Sequence, residues 1–226
     1  MWDTKMAFLL LLVMLTTCAA IPQDLSGKMF TFPEETGTAN VRLKTSTQDF
    51  KAVTVCFRSI TDLRRDHNLF SLATPSAQNA FLIFKTASSV IDFLVSNKKV
   101  EFGAEDYKLN MWHSICSTWD SKTGLVQLWF DGKSSIRKFT GGSNITTPSV
   151  ILGQEQDSFG GGFDVKQSFV GMMSDVHMWD YTLSSCEIER YMDDLNFTPG
   201  NALNWRALDF QITERVLIED KQMSCH

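Results

Sequence analysis

Ile115-Cys-Ser-Thr-Trp-Asp-Ser-Lys-Thr-Gly-Leu-Val-Gln-Leu-Trp-Phe130 holds two strand-length runs, Ile115–Trp119 and Leu125–Phe130, around the turn-forming Asp120–Gly124. Both runs are rich in aromatic and β-branched residues, and Asp, Ser and Gly suit a tight reversal between antiparallel strands. The same pattern recurs at Val41–Thr45, Val53–Phe57, Phe81–Phe84, Val90–Val95 and Ser149–Leu152, and Asp131-Gly132 marks another tight connection. Many short strands at such spacing predict an all-β antiparallel sandwich or jelly roll. One segment departs from it. Ser184 with Glu187 three residues on forms a capping box ahead of Ile188, Tyr191 and Met192 at helical spacing, so one short amphipathic helix is expected over 184–192. Trp119, Trp129, Trp179 and Trp205 are read as packing residues.

Residues 7–17 form an apolar run behind Lys5 and ahead of Cys18-Ala19-Ala20. A run that short, ending in small residues, reads as a secretory signal over 1–20, followed by one domain over 21–226. No later segment is apolar for long enough to span a bilayer, so a secreted, extracellular protein is expected. With Cys18 in the signal, Cys56, Cys116, Cys186 and Cys225 remain, an even set that an oxidising compartment would pair in one of three ways. Asn144-Ile-Thr146 and Asn196-Phe-Thr198 are glycan acceptor sequons, the second weakened by Pro199. A net charge of −5 without a basic stripe gives no nucleic-acid signature.

The chemistry concentrates in Gln154-Glu-Gln-Asp-Ser-Phe-Gly-Gly-Gly-Phe-Asp-Val-Lys-Gln167. Glu155, Gln156, Asp157, Asp164 and Gln167 supply only oxygen donors, and Gly160, Gly161 and Gly162 suit the bend between them. Calcium takes six to eight such ligands in forgiving geometry, whereas zinc and copper favour imidazole or thiolate. The loop thus reads as a calcium site, with a solvated acidic turn, in which the glycines only serve a bend, as the alternative from spacing alone. It lacks the EF-hand spacing.

Asp24-Leu-Ser-Gly-Lys-Met-Phe30, Ile115-Cys-Ser-Thr-Trp-Asp-Ser121, Ile151-Leu-Gly-Gln-Glu-Gln-Asp-Ser-Phe-Gly-Gly161, Met178-Trp-Asp180 and Asn204-Trp-Arg-Ala-Leu208 together resemble the pentraxin family, in consistent order over nearly the whole mature chain. The resemblance implies a lectin-like flattened jelly-roll β-sandwich with one short α-helix, assembled into a cyclic, usually pentameric homo-oligomer. It also implies two calcium ions per subunit on one face, bridging the protein to phosphate or carboxylate groups, with complement and cell receptors engaged on the other. Glu155, Asp157, Asp164 and Gln167 match side-chain ligands, and Gln156 matches a backbone-carbonyl donor. Asn79 is retained from the family's Asp-Asn pair. Gln78 replaces the carboxylate by a neutral amide, which is expected to weaken the ion it touches.

In the ligand pocket, Phe84 matches the aromatic that packs on choline methyl groups. Leu94 stands at a small Thr position, and Lys99 stands where the family has the acidic residue facing the quaternary ammonium. A lysine there would repel choline and a leucine would fill the slot, which disfavours phosphocholine and leaves phosphate monoesters, acidic saccharides or phosphoethanolamine-like ligands. The family pairing implies Cys56–Cys116. Cys186 and Cys225 are then extra, expected to staple the tail to the helix start, with an inter-subunit bridge as the rival. Asp131 matches a complement-contact position, whereas Tyr191 is one residue out of register.

Two other function classes compete. A jelly-roll glycosidase needs two flanking carboxylates, and the position three beyond Asp157 is Gly160 rather than a second Glu. His67, His113, His177 and His226 share no ligand-like spacing. A structural or carrier oligomer with weakened calcium sites is kept alive by Gln78. The reading that accounts for most residues is a calcium-dependent pattern-recognition protein of innate immunity, not an enzyme.

Overall fold

The computed structural model describes residues 21–221. The expected signal segment and Cys225 lie outside them. Among the described residues, seventeen strands, numbered in chain order, form two large antiparallel sheets and one small one. The front sheet runs β16 (Asp209–Thr213), β2 (Asn40–Lys44), β14 (Ser149–Leu152), β5 (His67–Thr74), β6 (Ala77–Lys85), β7 (Val90–Val95) and β8 (Lys98–Gly103). The back sheet runs β11 (Lys133–Ser134), β10 (Leu125–Phe130), β9 (His113–Asp120), β4 (Ala52–Ile60), β15 (Gly171–Trp179), β1 (Lys28–Phe32) and β17 (Leu217–Asp220), with β12 (Lys138–Phe139) also on β10. A two-residue pair, β3 (Asp49–Phe50) and β13 (Ile145–Thr146), makes the third. The sandwich class expected from the alternating runs is thus the fold.

Alternation explains the layering. Phe81 and Ile83 on β6, with Ile91, Phe93 and Val95 on β7, share one hydrophobic core with Val53, Val55 and Phe57 of β4. The aromatic rings meet edge-on, as at Phe81–Phe93 with centroids 4.8 Å apart, the arrangement ring quadrupoles favour. The other face of β4 and β9 is also buried. Cys56 and Cys116 are register partners there, joined by a disulfide, beneath Trp129, Trp179, Leu183, Ile188, Tyr191 and Met192.

Those last three residues belong to α1 (Ser185–Met192), which lies on the outer face of the back sheet. Ser184 is its N-cap, and the capping box is complete in both directions. All four tryptophans of the sequence reading are buried. His113, also buried, bonds Asp131 Oδ2 at 2.6 Å and the Lys108 backbone, a structural role.

The outer face of the front sheet is therefore the one free of the helix. Because Leu72, Val150 and Phe81 point inward, their neighbours Ser71, Ile151 and Leu82 point outward, together with Arg42 and Ser149. The segment 153–168 folds over this outer surface.

Candidate metal centre and adjoining pocket

Gln156 fixes the loop to the sheet. Its side chain is fully buried, and Nε2 donates to the Ser149 carbonyl at 3.0 Å and to Ser71 O and Oγ at 3.2 Å. Its Oε1 accepts from the Gly160 amide at 3.0 Å, so the side chain is fully occupied within the protein. That agrees with a residue whose contribution to a cation is its backbone oxygen. Arg42 donates to the Gly160 carbonyl at 2.9 Å, and Gln154 Nε2 ties the loop's start to the Thr36 and Ala39 carbonyls at 2.8 and 2.9 Å.

The glycines serve the reversal as their type suggests. Gly160 and Gly162 have φ of 77° and 73°, while Gly161 does not need positive φ. Ser158 and Gly161 exchange backbone hydrogen bonds of 3.1 and 3.0 Å across the bend. A Cβ on Gly162 would lie 2.9 Å from Ser158 Oγ, so only glycine closes the turn without displacement.

Glu155 is nearly fully buried, yet its Oε2 has no hydrogen-bond partner. Burial pushes its carboxyl up to about 7, reinforced by the negative charges of Asp157 and Asp164. Asp157 and Asp164 are exposed, and Asp164 Oδ1 caps the turn Val165–Gln167 by accepting from the Lys166 amide at 2.9 Å. Gln167 Oε1 is another buried oxygen without a partner. So is Asn79 Oδ1, on β6 beside the strand whose Ser71 receives Gln156. Gln78, next to it, is exposed.

Buried acceptors are nearly always satisfied, so the unpartnered oxygens of Glu155, Gln167 and Asn79, the first on a carboxylate raised chiefly by burial, are ones a cation could satisfy. Among the described residues no group of three or more His, Cys, Asp or Glu side chains is placed to hold a metal by itself. Amide and carbonyl oxygens have to complete the set, which is calcium chemistry rather than that of zinc. The residues fit the ion the sequence implies.

The pocket residues fall on the same outer face. Leu82, Leu94 and Lys99 form one cross-strand row, and Phe84, Asp92 and Glu101 form the next. Lys99 Nζ lies 2.8 Å from Glu101 and 3.3 Å from Asp92. Sequence reasoning singled out Lys99 but missed both carboxylates. Their two negative charges outweigh the lysine's one, so the row does not present a bare cation. Glu101 lies two residues along the same strand, on the same face as Lys99 by simple alternation, whereas Asp92 reaches Lys99 only when β7 pairs with β8. Burial raises the Asp92 carboxyl, with Lys99 opposing the shift.

Elsewhere, Asn144 and Asn196 are both exposed. Cys186 is exposed in the first turn of α1. Asp131 is held by His113 and the Ser114 amide, and Tyr191 is buried with its hydroxyl donated to the Asp175 carbonyl at 2.8 Å.

The sequence profile of the Pentaxin family matches residues 28–220. C-reactive protein of Sus scrofa is 39% identical over 218 residues, covering 95% of this chain and 97% of the relative. Serum amyloid P-component of Sus scrofa is 36% identical over 222 residues, covering 95% and 99%. Among solved structures, a heptameric SAP-like pentraxin from Limulus polyphemus superposes with a TM-score of 0.76 at 22% identity, over 88% of this chain and 98% of that one.

Proposed function

The chain belongs to the Pentaxin family, and from that premise we propose that it is a secreted, calcium-dependent pattern-recognition protein of innate immunity. It binds phosphate- or carboxylate-bearing groups on microbial or damaged-cell surfaces and is a binder, not an enzyme. The observation that carries this reading is the set of buried, unpartnered oxygens of Asn79, Glu155 and Gln167. In it Glu155, Asp157, Asp164, Gln167 and Asn79 hold calcium through side chains and Gln156 through its carbonyl. Gln78 contributes at most a neutral oxygen to the second of two ions. Calcium supplies a positive centre that an anionic ligand can share. The chain's own residues hold that centre at the sheet surface and shape what can lie beside it.

Phe84 and Leu94 offer an apolar wall next to that centre, and Lys99 with Asp92 and Glu101 offers a polar one. A ligand with a phosphate or carboxylate for the ion and a hydrogen-bonding remainder for the charged row suits this surface. Phosphocholine, whose quaternary ammonium is charged but has no N–H to donate to these carboxylates, suits it less.

Assembly into a cyclic homo-oligomer belongs to the same reading, and the two edges of the back sheet support it. Ile136 and Phe139, 74% and 70% exposed, flank Arg137 and Lys138 at one edge. Leu217 and Ile218, each 40% exposed, precede Glu219 and Asp220 at the other. Unlike patches that complement each other join copies head to tail, and such contacts close into a ring when the rotation between successive copies completes a full turn. Several weak sites on one face then gain avidity on a repetitive target. Complement engagement is carried over from the family alone.

The deciding experiment is retention of the secreted protein on phosphoethanolamine and phosphocholine resins, in calcium and in chelator, beside a Lys99→Glu variant. Calcium-dependent retention on phosphoethanolamine, with phosphocholine binding gained by the variant, is expected. Retention insensitive to chelator would overturn the calcium reading, and wild-type binding to phosphocholine would overturn the pocket reading.

A further inference from the structure

The turn that carries Asp164 and Gln167 is held from outside the loop by one side chain, Arg65, in the connection between β4 and β5. Its Nη1 donates to the Lys166 carbonyl at 2.9 Å, the Ser168 carbonyl at 2.7 Å and the Asp66 carbonyl at 3.0 Å. Its Nη2 donates to Ser168 Oγ at 3.1 Å, and its Nε faces Glu35 Oε1 at 3.4 Å. Ser168 is fully buried and passes the restraint on, donating from Oγ to the Val165 carbonyl at 2.7 Å. The guanidinium therefore clamps the carbonyls on both sides of Gln167, the residue whose side-chain oxygen is left buried and unpartnered.

We propose that Arg65 is a positioning residue of the calcium site, resting on the calcium reading above: it touches no ligand oxygen but fixes the backbone on either side of Gln167. The physical case is the donor geometry. A planar fork can serve several converging acceptors at once, and an ammonium on a flexible stem cannot hold the same set in one orientation. Groups that orient a metal's ligands typically govern its affinity by about 10- to 100-fold.

The sign of the effect separates this role from plain electrostatics. Arg65 is a cation near a cation site, so removing its charge favours calcium by Coulomb's law. Loss of positioning acts the other way. Calcium titration calorimetry on the wild type, Arg65→Ala and Arg65→Lys, together with amide exchange of the calcium-free proteins, tests it. Expected are about tenfold or greater weakening in Arg65→Ala, a smaller but clear weakening in charge-preserving Arg65→Lys, and faster exchange of the Gln167 and Ser168 amides in both. Arg65→Lys is the safer fold, so it decides the matter alone if the alanine variant does not express.

Equal or tighter calcium binding in Arg65→Lys overturns the proposal. So does unchanged exchange at Gln167 and Ser168. Should the wild type itself bind no calcium, the site reading fails and this role with it, whereas tight wild-type binding that ignores Arg65 leaves the site reading standing.

Discussion

Replacing Gln156 by Met tests whether the loop is docked on the sheet by one amide. Methionine keeps the length and apolar stem but removes all three bonds: one N–H to the Ser149 carbonyl, one shared between Ser71 O and Oγ, and the oxygen that receives the Gly160 amide. At about 1 kcal/mol net per bond the loss is about 3 kcal/mol. Leaving the Gly160 amide and the Ser149 carbonyl buried without a partner would cost more. The loop can avoid that by swinging into water, so the loss should appear as local opening rather than global unfolding. A change of about 3 kcal/mol corresponds to roughly a hundredfold faster exchange of the loop amides. Hydrogen exchange with mass-spectrometric readout over residues 156–163, in calcium-free buffer, measures it against β4 and β9 as internal controls. Loop exchange within about threefold of the wild type would refute the docking argument. Equal acceleration in the core strands would instead make Gln156 a residue of the whole fold.

Four other outcomes follow from the same structure. Removing the Cys56–Cys116 disulfide with a double alanine variant opens a 60-residue loop and should lower unfolding free energy by about 4 kcal/mol on the chain-entropy argument, read from urea midpoints. Ser184→Ala breaks the capping box of α1 and should destabilise by about 1 kcal/mol, measured as a shift in thermal midpoint. Burial pushes both His67 and His177 down to about 4, so each stays neutral in the fold while the unfolded chain protonates near 6.5. The unfolded state then binds more protons at these two residues between those values, so their contribution to stability should fall as pH drops from 6.5 to 4. Glu155, whose raised carboxyl works in the opposite direction, offsets this in part, and His67→Gln and His177→Gln variants isolate the histidine contribution. For His113 burial opposes the charged form, but its bond to Asp131 outweighs that and raises it. Histidine NMR titration should therefore show His113 losing its proton at higher pH than an ordinary imidazole, with His67 and His177 silent down to pH 5.

Strands with clean alternation or dense apolar runs were legible by eye: Leu125–Phe130, Val90–Val95 and Ser149–Leu152 have the boundaries read from sequence. The strands not foreseen fail for particular reasons. β5 is buried along its whole length, so His67, Asn68 and Ser71 interrupt its apolar pattern without signalling a face. β15 contains a bulge at which Asp175 takes a φ of 56°, which breaks the two-residue period. β17 is exposed throughout and has no pattern to read. At the site, the oxygen-rich loop announced itself, but Arg65, Ser71 and Asp92 did not. Arginine, serine and aspartate are common residues, and nothing local marks an Arg65 or a Ser71 that will meet a loop 103 or 85 positions away, or an Asp92 whose partner Lys99 lies across a hairpin.

Composition and short-range pattern were enough for the sandwich, the helix with its cap, and the oxygen-donor character of 154–167, because each depends on residues within a turn or a strand of one another. Tertiary structure alone decided which oxygens are buried without partners, that Asp92 on the neighbouring strand reaches Lys99, and that Arg65 clamps the turn bearing Gln167. Those are matters of strand register and loop docking, set by which outward face the core leaves free, and a one-residue slip of β7 against β8 would send Asp92 or Lys99 to the opposite side of the sheet.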